Sequence, residues 1–151
     1  MPKLTDKQHR FVEDMGQHMV GWGIPRNTGR IYAYLLLQDG PASLDQIAAD
    51  LEVGKSSVSV GARQLVAFGM VRAIGERGSR RVLYDALYTV EAIFAARTAN
   101  AVELLARLRQ GADASLAGSN HQRLREMAEM LQEFIDHAPE VFRQMRERRR
   151  A

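Results

Sequence analysis

The sequence predicts a mainly helical α+β fold: a winged helix-turn-helix whose N- and C-terminal helices form a dimerisation region. Three observations carry that expectation. The amphipathic stretch LDQIAADL (44–51) is followed, after a short turn, by a second helical stretch over about 55–68. A glycine-bounded polar segment, GERGS (75–79), then separates two β-rich runs, MVRAI (70–74) and RRVLYDAL (80–87). Helical patterns resume beyond it. Helix, tight turn, helix and hairpin, in that order, make the winged arrangement.

Composition bounds what such a chain can do. Its 151 residues suit one domain, or a small domain with helical extensions, and 46% hydrophobic residues supply a core. It has no cysteine, which excludes disulfides, thiolate metal sites and cysteine redox sensing. The opening residues MPKLTDKQHR are polar and charged, unlike a secretory signal. The apolar run IYAYLLL (31–37) falls far short of the roughly 20 residues a membrane-spanning helix needs. No membrane partner and a cytoplasmic location are the expectations. The net charge of +3 is a mild hint of a polyanionic partner. Arg77, Arg80 and Arg81 share one short segment, and Arg146, Arg148, Arg149 and Arg150 crowd the far end.

Each element has its own local reason. Residues 5–22 read as a helix capped by Thr5, with Phe11, Met15, Met19 and Trp22 at helical spacing. Gly21, Gly23 and Pro25 end it, and Gly16 inside it suggests a close helix crossing. A second helix runs from about Pro25 to Gln38 and stops at Asp39-Gly40-Pro41. Ser43 with Gln46 is a capping-box pattern for the helix 44–51, which buries Leu44, Ile47, Ala48 and Leu51. After Val53-Gly54, the helix 55–68 is expected to bury Val58, Ala62, Leu65 and Val66, and Gly69 closes it. Beyond the hairpin, Thr89 caps a long helix to about Arg109. GADASLAGS (111–119) reads as a loop or a frayed turn, and a last helix covers about 120–137 before Pro139 breaks it and a short arginine-rich helix or tail follows. The expected divisions are 1–24, an N-terminal helix; 25–88, the winged domain; and 89–151, a helical dimerisation region.

Gly54-Lys55-Ser56 resembles the tail of a phosphate-binding loop. That loop needs a first glycine at position 49, which is Ala49, and a preceding strand, where an amphipathic helix stands. Both requirements fail. In a helix-turn-helix the second helix enters the major groove, N-terminal residues first. Lys55, Ser56, Ser57, Ser59, Arg63 and Gln64 lie off its apolar face and are the candidate DNA-binding residues. Small hydroxyl side chains permit close approach and can reach phosphates or base edges. Arg77, Arg80 and Arg81, at or beside the hairpin tip, are candidates for flanking phosphates or the minor groove. The competing reading is a winged helix that docks a protein without sequence-specific DNA binding.

On these residues the sequence resembles the MarR-type winged-helix regulators, in particular their GbsR-like branch (glycine-betaine-synthesis regulators). The matching stretches are FVEDMGQHMVGWGIPRNTGRIYAYLLL (11–37), SLDQIAADLEVGKSSVSVGARQLVAFGMV (43–71) and GSRRVLYDA (78–86). The resemblance covers roughly residues 8–90; the last third is similar only in being helical. It implies a homodimeric cytoplasmic transcription factor, often with a small-molecule inducer. It also places Lys55, Ser56, Ser57, Ser59 and Arg63 on the recognition helix and Arg77, Arg80 and Arg81 on the wing. Two departures stand out. Gly54 occupies the position where a capping serine is usual, and Val60-Gly61 sits in the middle of the reading helix.

Helix-turn-helix proteins usually read a pseudo-palindromic operator of double-stranded DNA as two-fold dimers. Met127, Met130, Leu131, Phe134, Ile135, Val141 and Phe142 would make the dimer face. Among Phe11, Trp22, Tyr32, Tyr34, Tyr88 and Phe94, an aromatic cage for a quaternary ammonium inducer would draw on Trp22, Tyr34 and Tyr88. Aromatics at helical spacing are more often core. His9, His18, His121 and His137 form no recognised metal spacing, no cofactor motif is present, and no nucleophile elbow supports a catalytic triad. The expectation is a repressor, not an enzyme.

Overall fold

A computed structural model describes residues 3–87, 90–115 and 118–151. Its elements are α1 (Asp6–Val20), α2 (Arg26–Leu36), β1 (Ala42–Ser43), α3 (Leu44–Leu51), α4 (Lys55–Ala67), β2 (Val71–Gly75), β3 (Val82–Ala86), α5 (Val90–Ala114) and α6 (Ser119–Arg150). This is the winged helix-turn-helix order that the resemblance implies, and no described helix is long and apolar enough to cross a membrane.

Caps set the helix starts. Thr5 accepts from the Gln8 amide while the Gln8 side chain accepts from the Thr5 amide, and Ser43 and Gln46 repeat the reciprocal pair at α3. Gly54, at the start of α4, offers no side-chain cap, as its identity requires. The α3–α4 turn uses Glu52 in the left-handed region (φ 54°), with the amides of Glu52 and Val53 both donated to Ala48 O. Gly69 (φ 73°) ends the next helix, and Met70 N–H returns to Leu65 O.

The chain divides into two compact units, Met1–Ala96 and Arg97–Ala151, and this division falls inside α5. The first unit has a contiguous core. Val12 and Met19 of α1, Ile31 to Leu35 of α2, Ile47 and Leu51 of α3, and Val58, Ala62 and Leu65 of α4 all contribute. α1 is thus packed into the unit that holds the winged helix. Backbone approach is close at two crossings. A Cβ on Gly16 would lie 2.5 Å from Arg30 Cγ and 3.0 Å from Arg26 O, which bears out the close crossing expected there. A Cβ on Gly61 would lie 2.6 Å from Ile31 Cδ1, so this helix-weakening glycine lets α4 press against α2.

Three strands form an antiparallel sheet in the order β1-β3-β2, with Ala42 opposite Tyr84 and Gly75 opposite Val82. β1 was not expected. In the second unit, α5 and α6 are joined by contacts between Arg109 Nη2 and Gln132 Oε1 (2.9 Å) and between His121 Nδ1 and Ala112 O (2.6 Å).

Three expectations are corrected. α5 continues through Gly111 to Ala114, where a loop or a frayed turn was expected from 111. α6 runs unbroken through Pro139 to Arg150. Proline removes one backbone donor, but the residues after it are good helix formers, and Arg143 bonds Glu140 and Glu147 one turn to either side. That guanidinium, with the Gln144 amide, holds the Glu140 carboxyl down at about 2. Finally, Val66 is exposed at the edge of α4, and Gly61 joins Val58, Ala62 and Leu65 in the buried set. Thr89, the expected cap of α5, lies outside the described residues.

Candidate nucleic-acid interface

α4 packs against α2, α3 and β2. Val58, Gly61, Ala62 and Leu65 face inward. Thr28 of α2, itself buried, donates its hydroxyl to Gln64 Oε1 at 2.6 Å. Arg30, also on α2, donates from Nε to Glu13 Oε1 of α1 (2.7 Å) and from Nη2 to Leu51 O (3.3 Å), the last carbonyl of α3. Arg26 pairs with the other oxygen of Glu13. One carboxylate on α1 therefore fixes two arginines of α2, and one of these caps α3. This network ties α1, α2 and α3 together. Sequence reasoning missed it. The one available signal was Arg26 and Arg30 at i, i+4 on a single face.

With one face of α4 buried, the other is open. Lys55, Ser56, Ser57, Val60 and Arg63 are exposed and Ser59 is half-buried. Lys55 Nζ rests 2.9 Å from Asp45 Oδ1, a solvent-exposed pair worth about 0–1 kcal/mol. Arg63 donates from Nε to Ser59 O at 3.3 Å, which leans its stem along the helix. Gln64 stands apart from the other candidates: half-buried, with its carbonyl oxygen engaged by Thr28, it faces α2.

The hairpin presents the second cluster. Ser79 N–H returns to Glu76 O, with Gly78 at φ 80° in the third position, the geometry of a type II turn. Glu76 N–H bonds Arg81 O, and Arg81 N–H bonds Ser79 Oγ. The tip is thereby ordered, while the side chains of Arg77, Arg80 and Arg81 are exposed. Arg72 pairs with Asp85 across the strands, so its charge is balanced within the sheet. Among the described residues, the three tip arginines form no ion pair with this chain.

The aromatic candidates have other roles. Tyr34 is fully buried and donates its hydroxyl to Asp50 Oδ2 at 2.6 Å; burial, then the Asp50 hydrogen bond and charge, push the phenol up. It offers no surface to a ligand, which removes it from the expected cage. Tyr32, raised by burial, donates to Leu87 O. Trp22 meets Phe94 edge-on, with ring centroids 5.7 Å apart, and Tyr88 lies outside the described residues. His121 and His137 are hydrogen-bonded to backbone carbonyls, and the described residues contain no group of three metal-ligating side chains.

No family model matches the chain. It is 29% identical, over 80% of its own length and 76% of the other's, to the HTH-type transcriptional regulator MmpR5 of Mycobacterium tuberculosis. It is 22% identical, over 54% of its length and 44% of the other's, to the HTH-type transcriptional repressor OpcR of Bacillus subtilis. A crystal structure of a transcriptional regulator superimposes with a TM-score of 0.79 at 25% identity, covering 93% of this chain and 99% of that one. Fold, open helix face and these likenesses define the class: a winged helix-turn-helix transcriptional regulator. Its similar proteins are named as regulators and not as enzymes.

Proposed function

We propose that the chain is a MarR-type repressor of the GbsR-like branch, working in the cytoplasm as a homodimer on a pseudo-palindromic operator. α4 enters the major groove, with Lys55, Ser56, Ser57, Ser59 and Arg63 toward the DNA and Gln64 at the edge facing α2. Arg77, Arg80 and Arg81 grip the flanking backbone from the wing. The observation that carries this reading is the pairing of an open, serine-lined helix face with an ordered hairpin tip whose three arginines are exposed. The resemblance on residues 11–37 supports the branch, and the name of the Bacillus subtilis relative supports repression.

Pairing is supported by α6. Met127, Met130, Phe134 and Val141 are exposed along it, Met130 at 72% and Phe134 at 61%. Leu131, Ile135 and Phe142 stand beside them, half-buried. Water-facing rows of large apolar groups mark interaction surfaces. A two-fold dimer would set two copies of α4 about 34 Å apart, one DNA turn. The resemblance also supports release by a small-molecule inducer, which acts by its differential affinity for a different separation. Trp22, edge-on to Phe94, is where such a ligand is best sought. Choline, betaine and aromatic acids are the probes, and a thermal shift with one of them is the expected result.

The test of the main reading is selection of bound sites from random duplexes, followed by gel shifts over a salt series. Arg63→Ala should cost about 1–3 kcal/mol of discrimination at one base pair of each half-site. Arg80→Ala should weaken all duplexes alike and lower the log–log salt slope by about 0.9. Equal, negligible effects from both would favour a module that docks a protein instead.

A further inference from the structure

On α4, about 100° per residue places Ser56, Val60, Arg63 and Ala67 within roughly 30° of the direction opposite the buried set. Val60 is 49% exposed at the middle of that outward row. The choice of residue is odd for a water-facing helix position. Valine is a poor helix former, makes no hydrogen bond and carries no charge. Its neighbour Gly61 is explained by the contact with Ile31, and Val58 by burial; Val60 meets neither condition. Around it stand Ser56 and Ser57 one turn earlier and Arg63 one turn later, all exposed. An apolar branched group is thus ringed by groups that bind polar edges.

We infer that Val60 is a specificity-determining residue that reads the C5-methyl group of a thymine. The inference rests on the reading that α4 enters the major groove. There, hydroxyl, amide and guanidinium groups find partners on every base pair, but among the four bases only thymine presents an apolar group. Three helical steps lead from Val60 to Arg63, a rise of about 4.5 Å against about 3.4 Å per base pair. The thymine therefore lies within two base pairs of the position read by Arg63.

The experiment replaces each thymine of the selected operator, one at a time, by deoxyuridine. This removes the methyl group and leaves every hydrogen-bonding atom in place. One thymine in each half-site, within two base pairs of the position relaxed by Arg63→Ala, should lose about fourfold in affinity, the effect of one buried methyl group. Val60→Ala should bind the unmodified operator more weakly and show no further loss at that thymine. Val60→Thr, which keeps one methyl, should fall between. Alanine at this exposed helical position favours the fold, and circular dichroism of the variant confirms it. Sequence-specific binding with no uracil-sensitive position, or with the same uracil loss in Val60→Ala, overturns the inference and leaves the proposed function standing. Failure of the wild-type protein to select any DNA sequence overturns both.

Discussion

The two compact units treat their apolar residues in opposite ways. In the first, α2 buries most of its residues from Thr28 to Leu35, and large side chains such as Tyr32, Tyr34, Ile31 and Leu65 reach almost no water. In the second, Leu105, Ala112 and Ala128 are the buried hydrophobics among the described residues, while α6 exposes Met127, Met130, Phe134, Val141 and Met145. Both units draw on similar apolar content, so composition does not separate them. Partners do. The first unit meets its own hydrophobic faces with helices and a sheet from the same chain. The second holds a helix of 32 residues along which large apolar side chains are exposed. A self-completed core and an unfinished one should answer differently to substitution.

The largest effect is expected in the first unit. Leu65→Ala removes a fully buried side chain where α4 meets its supports. The loss should be about 2–5 kcal/mol, because the close helix crossings leave little room to collapse around the cavity. Thermal unfolding should drop by roughly 10 °C or more. An unchanged midpoint would show that α4 is not cooperatively held.

The contrasting substitution is Phe134→Glu. Side-chain burial is slight there, so helical content should be retained. Self-association should weaken by on the order of 2–4 kcal/mol if this row is the centre of a dimer face. Light scattering across a concentration series measures it, and operator affinity should fall with dimer population. A variant that pairs as tightly as wild type would remove α6 from the interface.

The same contrast explains how much was legible beforehand. α3, its capping box, α4, Gly69 and the hairpin all follow from local pattern and turn chemistry, and all are present. The Gly16 crossing was readable because a helix tolerates glycine at a cost that close packing offsets. What escaped reading was tertiary. β1 is two residues long and exists because Ala42 and Ser43 pair with Tyr84 and Leu83. The Glu13–Arg30–Leu51 bridge joins three helices that no local window spans. Pro139 is a breaker by local rule, overridden by the helix formers and ion pairs around it. Tyr34 stands at helical spacing, where aromatics are more often core than cage, and its side chain is buried with the hydroxyl on Asp50.

A smaller effect probes that buried pair. Tyr34→Phe leaves the Asp50 carboxylate without its phenol donor and should cost about 1–3 kcal/mol near neutral pH. The pH dependence has a definite sign. The folded-state phenol is raised above its ordinary value of 10.0, so its stabilisation is fully present below about pH 10. Above that, the unfolded tyrosine ionises first and the contribution is lost. Wild-type stability should therefore fall on the alkaline side more steeply than that of Tyr34→Phe, with Tyr32 supplying part of the remaining slope. Parallel alkaline limbs in urea titrations from pH 8 to 11 would contradict the assignment.

The smallest effect sits on the open face of the first unit, where Asp45 and Lys55 pair in solvent. Neither side chain supports the core, so Asp45→Asn should change stability by less than about 0.5 kcal/mol. If Lys55 contacts a DNA phosphate, however, the carboxylate competes for it and repels the duplex. Breaking a pair worth up to about 1 kcal/mol should tighten operator binding two- to fivefold at low salt. The gain should shrink as ionic strength rises, because both competing interactions are screened. Weaker binding by Asp45→Asn would mean that the pair positions Lys55 for the phosphate, which makes Asp45 part of the interface and not its competitor.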